Sequence, residues 1–247
     1  MSRFFLEVAY KGTAYSGFQS QQNANSIQAE VEKAFAILQK EKIIFTGSSR
    51  TDAGVHALQN YFHFDYSGEI HSQFIYKINA ILPGDIVIIS LKKVTDFAHC
   101  RFDALSRQYQ YCLYNKKNPF LADRAFYYPY KLSFEKLQEA AQLIKKHKDF
   151  TSFSKRNTQA KTFLCNIFES KWENVDNCLI YKVKGDRFLR GMVRALTATM
   201  LLIGRNKLTI NGFNDIIESK DCTNSTFAVP PRGLFLISVE YPEKYFL

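Results

Sequence analysis

The segment Gly47–Ala57 reads GSSRTDAGVHA and places one carboxylate, Asp52, two residues after a permanent cation, Arg50. Glycines bound this stretch and strand-like apolar residues precede and follow it, so we expect a loop that presents a side chain from a rigid base. Covalent or acid–base chemistry needs such a base. A guanidinium beside Asp52 would favour its ionised form, and an ionised carboxylate can act as a nucleophile. The same residues would also suit a surface turn in which Arg50 pairs with Asp52 and no chemistry occurs.

Two later stretches carry aromatic and basic residues that suit contacts with a nucleic acid. Polar and aromatic residues alternate in Ser106–Tyr111, where Tyr109 offers a flat face for stacking on a flipped base and a hydroxyl that could move a proton. Arg187, Arg190 and Arg194 follow the spacing i, i+3 and i+7, which predicts one helix face that contacts phosphates. The alternatives are an ordinary strand with aromatic residues and a solvated helix face.

Four segments, in order along the chain, resemble the motifs of the TruA family of tRNA pseudouridine synthases: Gly47–Ala57, Cys100–Asn115, Met192–Arg194 and Pro231–Leu236. The family's catalytic nucleophile is the Asp of the first motif, which corresponds to Asp52. The resemblance implies that Tyr109 contacts the target uridine and that Arg194 pairs with the catalytic Asp. It also implies that Leu234 lies against the uracil ring.

The resemblance further implies an isomerase that converts uridine to pseudouridine at positions 38, 39 and 40 of the tRNA anticodon stem–loop. Asp52 would attack C1′ of the sugar, attack C6 of the base or assist glycal formation, and the sequence does not choose among these routes. Arg50 could fill the space left by the flipped uridine. The reaction oxidises nothing and imports no group, so we expect no cofactor and no metal. The family implies a homodimer that binds tRNA. A different hypothesis is a catalytically silent RNA-binding or tRNA-folding protein on the same scaffold. Within the enzyme hypothesis, the sequence leaves open a synthase that modifies a different RNA.

The composition favours a polyanion as the partner of this chain. A formal net charge of +10 in 247 residues favours nucleic acid, although a merely basic protein would show it too. Some of the 22 Phe and 14 Tyr residues could stack on bases. The five cysteines form no Cys-x-x-Cys pair, and no His and Cys residues have zinc-like spacing.

Segments that direct a protein to a membrane are not evident in the sequence. The apolar run at Phe4–Leu6 breaks at Glu7, unlike that of a signal peptide. Other apolar stretches, such as Met200–Ile203, are far too short to cross a bilayer. We therefore expect a cytoplasmic protein with no membrane partner.

The periodicity of apolar residues predicts an α+β fold of two RRM-like halves, each with a largely antiparallel sheet, and a central cleft. This is the pseudouridine synthase fold that the resemblance implies. We expect an N-terminal domain at 1–100 that carries the Asp52 loop and a C-terminal domain at 101–247. Strands are predicted at Phe4–Tyr10, Ile43–Phe45, Tyr61–Phe64, Ile86–Leu91, Tyr109–Tyr114, Phe163–Lys171, Cys178–Lys184 and Leu234–Tyr241. Helices are predicted after Ser26 and Ser133, and at Ser72–Ala80, Phe188–Ile203 and Asn211–Ser219.

Overall fold

The computed structural model describes residues 1–156, 158 and 160–247. The chain forms two compact units, one of residues 1–105 together with 236–247 and the other of residues 106–235. Both units combine helices with strands that are mostly antiparallel, so the predicted α+β class is confirmed. A functional division into domains 1–100 and 101–247 stays a prediction. No helix in the described part of the chain is long and apolar enough to span a membrane.

The first unit combines a sheet with two α-helices. Its elements are β1 (Ser2–Tyr10), α1 (Ile27–Gln39), β2 (Thr46–Gly47), β3 (His56–Tyr66), α2 (Phe74–Ile81), β4 (Ile86–Val94) and most of β9 (Leu234–Glu240). The strand order in this unit is β4-β1-β3-β9, with the short β2 beside β3. β1 runs antiparallel to both β3 and β4.

The core of the first unit is rich in aromatic rings from the sheet and the helices. The register of β1 and β3 places Leu6 opposite Phe62, and both are fully buried. The buried Phe35 of α1 lies with its ring centroid 5.2 Å from that of Phe64 and 5.8 Å from that of Phe74 in α2. These edge-on contacts add to the burial of apolar area and fix the sheet against the helices.

The second unit also combines helices and strands, but in a different order along the chain. Its elements are β5 (Ser106–Tyr114), β6 (Phe126–Tyr127), α3 (Phe134–Ile144), β7 (Ile167–Val175), β8 (Cys178–Gly185), α4 (Met192–Gly204) and α5 (Ile210–Glu218). β8 lies between β5 and β7 and is antiparallel to both, while β6 is parallel to β5. α4 is the central helix, because nearly all of its residues are buried, including Leu196 and Met200.

Most of the predicted helices and strands are confirmed. Ser26 and Ser133 accept hydrogen bonds from the backbone N–H groups of Ala29 and Lys136, as helix N-caps do. The predicted helices of the first half and the helix near the chain end correspond to α1, α2 and α5 within about two residues. The strands β1, β5, β8 and β9 also lie within about three residues of their predicted bounds.

The predicted strand at Ile43–Phe45 is wrong, and the reason is a tertiary contact. The Phe45 N–H donates to Glu32 Oε1 at 3.0 Å, and the Phe45 carbonyl accepts from Gln28 Nε2 at 2.8 Å. Side chains of α1 therefore take the backbone groups that a neighbouring strand would need. Only Thr46–Gly47, the next two residues, pair with β3.

Two other strands differ from their predicted form. The strand predicted at Ile86–Leu91 continues to Val94 as β4, and it is buried on one face only, because Val87 is 44% exposed and Ile89 is 46% exposed. The strand predicted from Phe163 begins at Ile167. The preceding residues bind elsewhere, because the Phe150 N–H donates to the Phe163 carbonyl at 3.1 Å.

Candidate active site

Asp52 opens a tight turn between β2 and β3. The Val55 N–H donates to the Asp52 carbonyl at 3.2 Å, and Gly54, the third residue of the turn, has φ +75°. A positive φ at this position alone is typical of a type II turn, which favours glycine there. Asp52 is half-buried and Arg50 is exposed, whereas Thr51 between them is buried. The turn thus fixes the backbone of Asp52 and leaves the residue partly exposed.

Buried hydrogen bonds fix the residues on both sides of Arg50. Tyr10 Oη lies 2.7 Å from Thr51 Oγ1. Asn60 Nδ2 donates to Tyr10 Oη at 3.2 Å and to the Ser49 carbonyl at 2.8 Å, and the Ser49 N–H donates to Asn60 Oδ1 at 3.2 Å. Asn60 is completely buried. These buried hydrogen bonds tie the Ser49 backbone and the Thr51 side chain to β1 and β3, and they therefore restrict the conformation of the loop.

The segment after β1 packs directly on the same loop. The Gly12 N–H donates to His56 Nδ1 at 3.1 Å, so that nitrogen acts as an acceptor and carries no proton. A Cβ on Gly12 would lie 2.0 Å from the Val55 carbonyl oxygen, and only glycine permits this approach. The Phe18 N–H also donates to the Thr51 carbonyl at 3.1 Å. The beginning of the chain therefore positions the Asp52 turn.

Tyr109 lies in β5 of the second unit, where it pairs with Val183 of β8. Its side chain is half-buried, and its ring meets that of Phe188 edge-on, with the centroids 5.1 Å apart and the planes inclined by 79°. Tyr111, two residues further along the strand, is instead fully buried. The structure therefore leaves part of the Tyr109 ring accessible, as a stacking residue requires.

Arg194 and Leu234, both in the second unit, are connected through one segment. Arg194 donates from Nε and Nη2 to the Val229 carbonyl, at 3.0 and 2.7 Å. Tyr111 Oη donates to the Pro230 carbonyl at 2.6 Å. This segment ends at Leu234, the first residue of β9, which is 7% exposed. Arg194 and Tyr111 thus fix the entry to the strand that begins with Leu234.

The prediction that Arg187, Arg190 and Arg194 share one helix face is wrong. α4 begins only at Met192, so Arg187 and Arg190 precede it and Arg194 lies in its first turn. The cause is Gly191, whose φ of +78° is left-handed and ends any helix that approaches from the N-terminal side. Arg190 is exposed and Arg187 is half-buried, so Arg190 in particular can still contact phosphates from the loop.

Sequence reasoning missed Tyr10 and Asn60, which support the Asp52 loop from β1 and β3. Asn60 could have been noticed, because asparagine is disfavoured within strands and here it directly precedes the strand-like segment Tyr61–Phe64. Tyr10 carried no such signal, since a tyrosine at the end of an apolar strand reads as a core residue.

Comparisons with known proteins give the same family as the motifs. The sequence matches the family described as tRNA pseudouridine synthase over residues 7–103 and 140–242. It is 40% identical over 248 residues to the tRNA pseudouridine synthase A of Parabacteroides distasonis, covering 100% of this chain and 98% of that protein. Identity to the tRNA pseudouridine synthase A of Porphyromonas gingivalis is 41% over 252 residues, covering 100% of both chains. The enzyme of that name from Staphylococcus aureus is 34% identical over 248 residues, with 99% and 93% covered.

The chain therefore belongs to the tRNA pseudouridine synthase family. It is an isomerase that converts uridine to pseudouridine, with tRNA as its substrate. The resemblance inferred from the four motifs is confirmed, and of the two functions that the sequence left open the enzyme is the correct one.

Proposed function

We propose that the enzyme modifies uridines at positions 38, 39 and 40 of the tRNA anticodon stem–loop, with Asp52 as the nucleophile. The observation that carries this proposal is the setting of Asp52, a half-buried carboxylate on a turn whose neighbours are fixed by buried hydrogen bonds. A catalytic group needs a support of this kind. Arg50 lies two residues away in the same loop.

The chemistry requires that carboxylate to be ionised on every available route. The N1–C1′ bond of uridine breaks, the base rotates and a C5–C1′ bond forms. The proton on C5 is lost to solvent and N1 gains a proton, so the reaction is balanced without oxidant or reductant. Asp52 attacks C1′, attacks C6 or assists formation of a glycal, and each step uses an oxygen lone pair of the carboxylate.

The bound uridine is held by Tyr109, Leu234 and Arg194 in this proposal. The Tyr109 ring is oriented by its edge-on contact with Phe188 and stacks on the flipped base. Leu234 covers the uracil ring from the start of β9, and Arg194 contributes binding from the first turn of α4. Arg50 enters the space that the flipped uridine leaves, which offsets an unstacking cost of a few kcal/mol.

The rest of the tRNA is recognised mainly through its shape and its phosphates. A protein that accepts three successive positions reads little sequence directly, and a net charge of +10 suits contacts with the RNA backbone. Arg187 and Arg190, in the loop before α4, are the proposed phosphate contacts. We also propose that the enzyme acts in the cytoplasm as a homodimer, as the family resemblance implies.

The variant Asp52→Asn tests the nucleophile, because the amide keeps the size of the side chain and removes its charge. We expect tritium release from 5-tritiated uridine in tRNA to be abolished while tRNA binding is largely kept. Asp96→Asn, at an exposed position of the same unit, is the matched control and should retain full activity. Tritium release by the Asp52→Asn enzyme at the wild-type rate would refute the assignment.

The target positions are tested by mapping pseudouridine in tRNA from cells that lack this protein. We expect uridine to persist at positions 38, 39 and 40, and the wild-type gene, but not the Asp52→Asn gene, to restore the modification. Pseudouridine that remains at all three positions would contradict the proposal. Mapping of ribosomal and messenger RNA from the same cells reports any further substrate.

A further inference from the structure

A cavity of about 360 Å³ opens in the first unit beside the Asp52 loop. Arg50 and Gly47 from that loop line one part of it, and His99, Arg101 and Phe102 line another. Its volume lies within the ~300–1,000 Å³ typical of pockets for small ligands. The described lining contains two arginines and no carboxylate, so the cavity favours an anionic group.

Phe102 is an exposed aromatic ring that the structure holds in place. It is 73% exposed, yet its ring centroid lies 4.3 Å from that of His99, with the planes inclined by 35°. His99 in turn lies 4.6 Å from His63, which is buried. The Nδ1 atom of His99 accepts hydrogen bonds from the backbone N–H groups of Arg101 and Phe102, at 3.1 and 3.3 Å. A fixed and exposed ring of this kind is a stacking platform.

The charged groups of the cavity lie next to this platform. The Arg101 guanidinium carbon is 5.5 Å from the centroid of the Phe102 ring, and Arg50 lines the same cavity. Burial lowers the pKa of His99, and since its Nδ1 is an acceptor, the remaining proton is on Nε2 as a further donor. The arginines suit a phosphate, and the exposed Phe102 ring suits a flat heterocycle, so the cavity matches a ligand that contains both groups.

Another wall of the cavity is also formed by packed rings. Phe18 lines the cavity and stacks on Phe62, with the centroids 4.5 Å apart and the planes inclined by 13°. A Cβ on Gly47 would lie 2.3 Å from the Phe18 ring, so this wall depends on glycine. The cavity is therefore formed by packed rings and does not require a flexible loop to close.

We propose that this cavity binds one nucleotide of the RNA substrate other than the target uridine. The base of that nucleotide stacks on Phe102, and its phosphate lies beside Arg50 and Arg101. The inference rests on the proposed function, because the ligand is part of the tRNA that the enzyme modifies. Arg50 connects the two sites, since it lines the cavity and lies two residues from Asp52. The subsite would fix the strand next to the target.

The test combines the variant Phe102→Ala with tRNAs that carry one abasic nucleotide near the target, assembled by ligation. We expect the variant to bind normal tRNA about 5- to 150-fold more weakly, as the loss of one stacked base would predict. One abasic position should weaken binding to the wild-type enzyme by a similar factor and have no further effect on the variant. Phe97→Ala is the matched control, because Phe97 is also 73% exposed and lies outside the cavity lining.

A second variant tests the phosphate contact. Arg101→Gln should reduce the slope of log affinity against log salt concentration by about one, whereas Arg124→Gln, at an exposed position of the other unit, should leave it unchanged. The proposal is overturned if every abasic position weakens Phe102→Ala and the wild-type enzyme equally, or if the Arg101 variant keeps the full slope. Both measurements report binding only, so they are independent of whether Asp52 is the nucleophile.

Discussion

Replacing Asn60 by Leu should impair catalysis more than it impairs folding of the first unit. Asparagine and leucine have the same number of heavy side-chain atoms and branch at the same atom, so the change removes hydrogen bonds without opening a space. The lost bonds are those to both backbone groups of Ser49, at 3.2 and 2.8 Å, to Tyr10 Oη at 3.2 Å and to the Tyr61 N–H at 2.9 Å. Ser49 and Asn60 are both buried, so water does not readily replace the missing partners.

The size of the effect follows from the groups left unpaired. A buried donor or acceptor without a partner costs ~1–3 kcal/mol, and two backbone groups of Ser49 are affected. Relaxation of the loop relieves part of this cost, so we expect a loss of about 2–4 kcal/mol in the free energy of unfolding. The relaxation moves Arg50 and Asp52, and a displacement of about 1 Å at a reacting group can lower the rate ~100-fold.

The assay measures kcat and KM for tritium release from tRNA together with urea-induced unfolding. We expect kcat to fall about 100-fold with KM changed by less than about threefold. The control is Ile78→Ala in α2, which packs against α1 and β4. Ile78 is fully buried, and its truncation costs ~2–5 kcal/mol. This control matches the loss of stability without removing a bond to the Asp52 loop.

A particular pattern of results would refute this reasoning. If Asn60→Leu and Ile78→Ala lose stability equally and both keep the wild-type kcat below their unfolding transitions, the hydrogen bonds of Asn60 stabilise the fold and do not position the nucleophile.

Two further predictions concern the first unit. Burial lowers the pKa of His63 from 6.5 to about 4, so the unfolded chain binds a proton more readily than the folded one. The free energy of unfolding should therefore fall by up to about 3 kcal/mol as the pH drops from about 6.5 to about 4. Urea unfolding of His63→Gln should show a flatter pH dependence, and a dependence identical to that of the wild type would count against His63 as the cause. Gly12→Ala should lower the free energy of unfolding by about 1–3 kcal/mol or more, because the new Cβ would overlap the Val55 carbonyl oxygen. A thermal unfolding midpoint equal to that of the wild type would show that the backbone accommodates the added methyl group.

The sequence alone determined the features that depend on neighbours in the chain. Ser26 and Ser133 signal helix starts because their hydroxyls bind backbone groups three residues ahead, and this interaction requires no distant partner. Alternating residues likewise placed β5, because the strand period shows in any half-buried sheet. The Arg50–Asp52 motif and the family it indicates were also evident without a structure.

Features that depend on distant residues appeared only in the tertiary structure. The backbone of Phe45 looked like a strand but is bound by two side chains of α1. The helix face predicted for the arginines near Arg190 does not form because Gly191 takes a left-handed conformation, with Phe227 and Lys155 packed around it. In both cases a packing contact overrides a local preference that amounts to less than about 1 kcal/mol per residue.

The support of the candidate site is likewise a tertiary feature. Tyr10 and Asn60 reach the Asp52 loop across 41 and 11 residues of chain, and His99 orients Phe102 at a cavity that also contains Arg50. No periodic pattern encodes such contacts, because each depends on which strands become neighbours in the sheet. The sequence thus identified the family and proposed Asp52 as its acid, whereas the fold decided how rigidly Asp52 is held and what lies beside it.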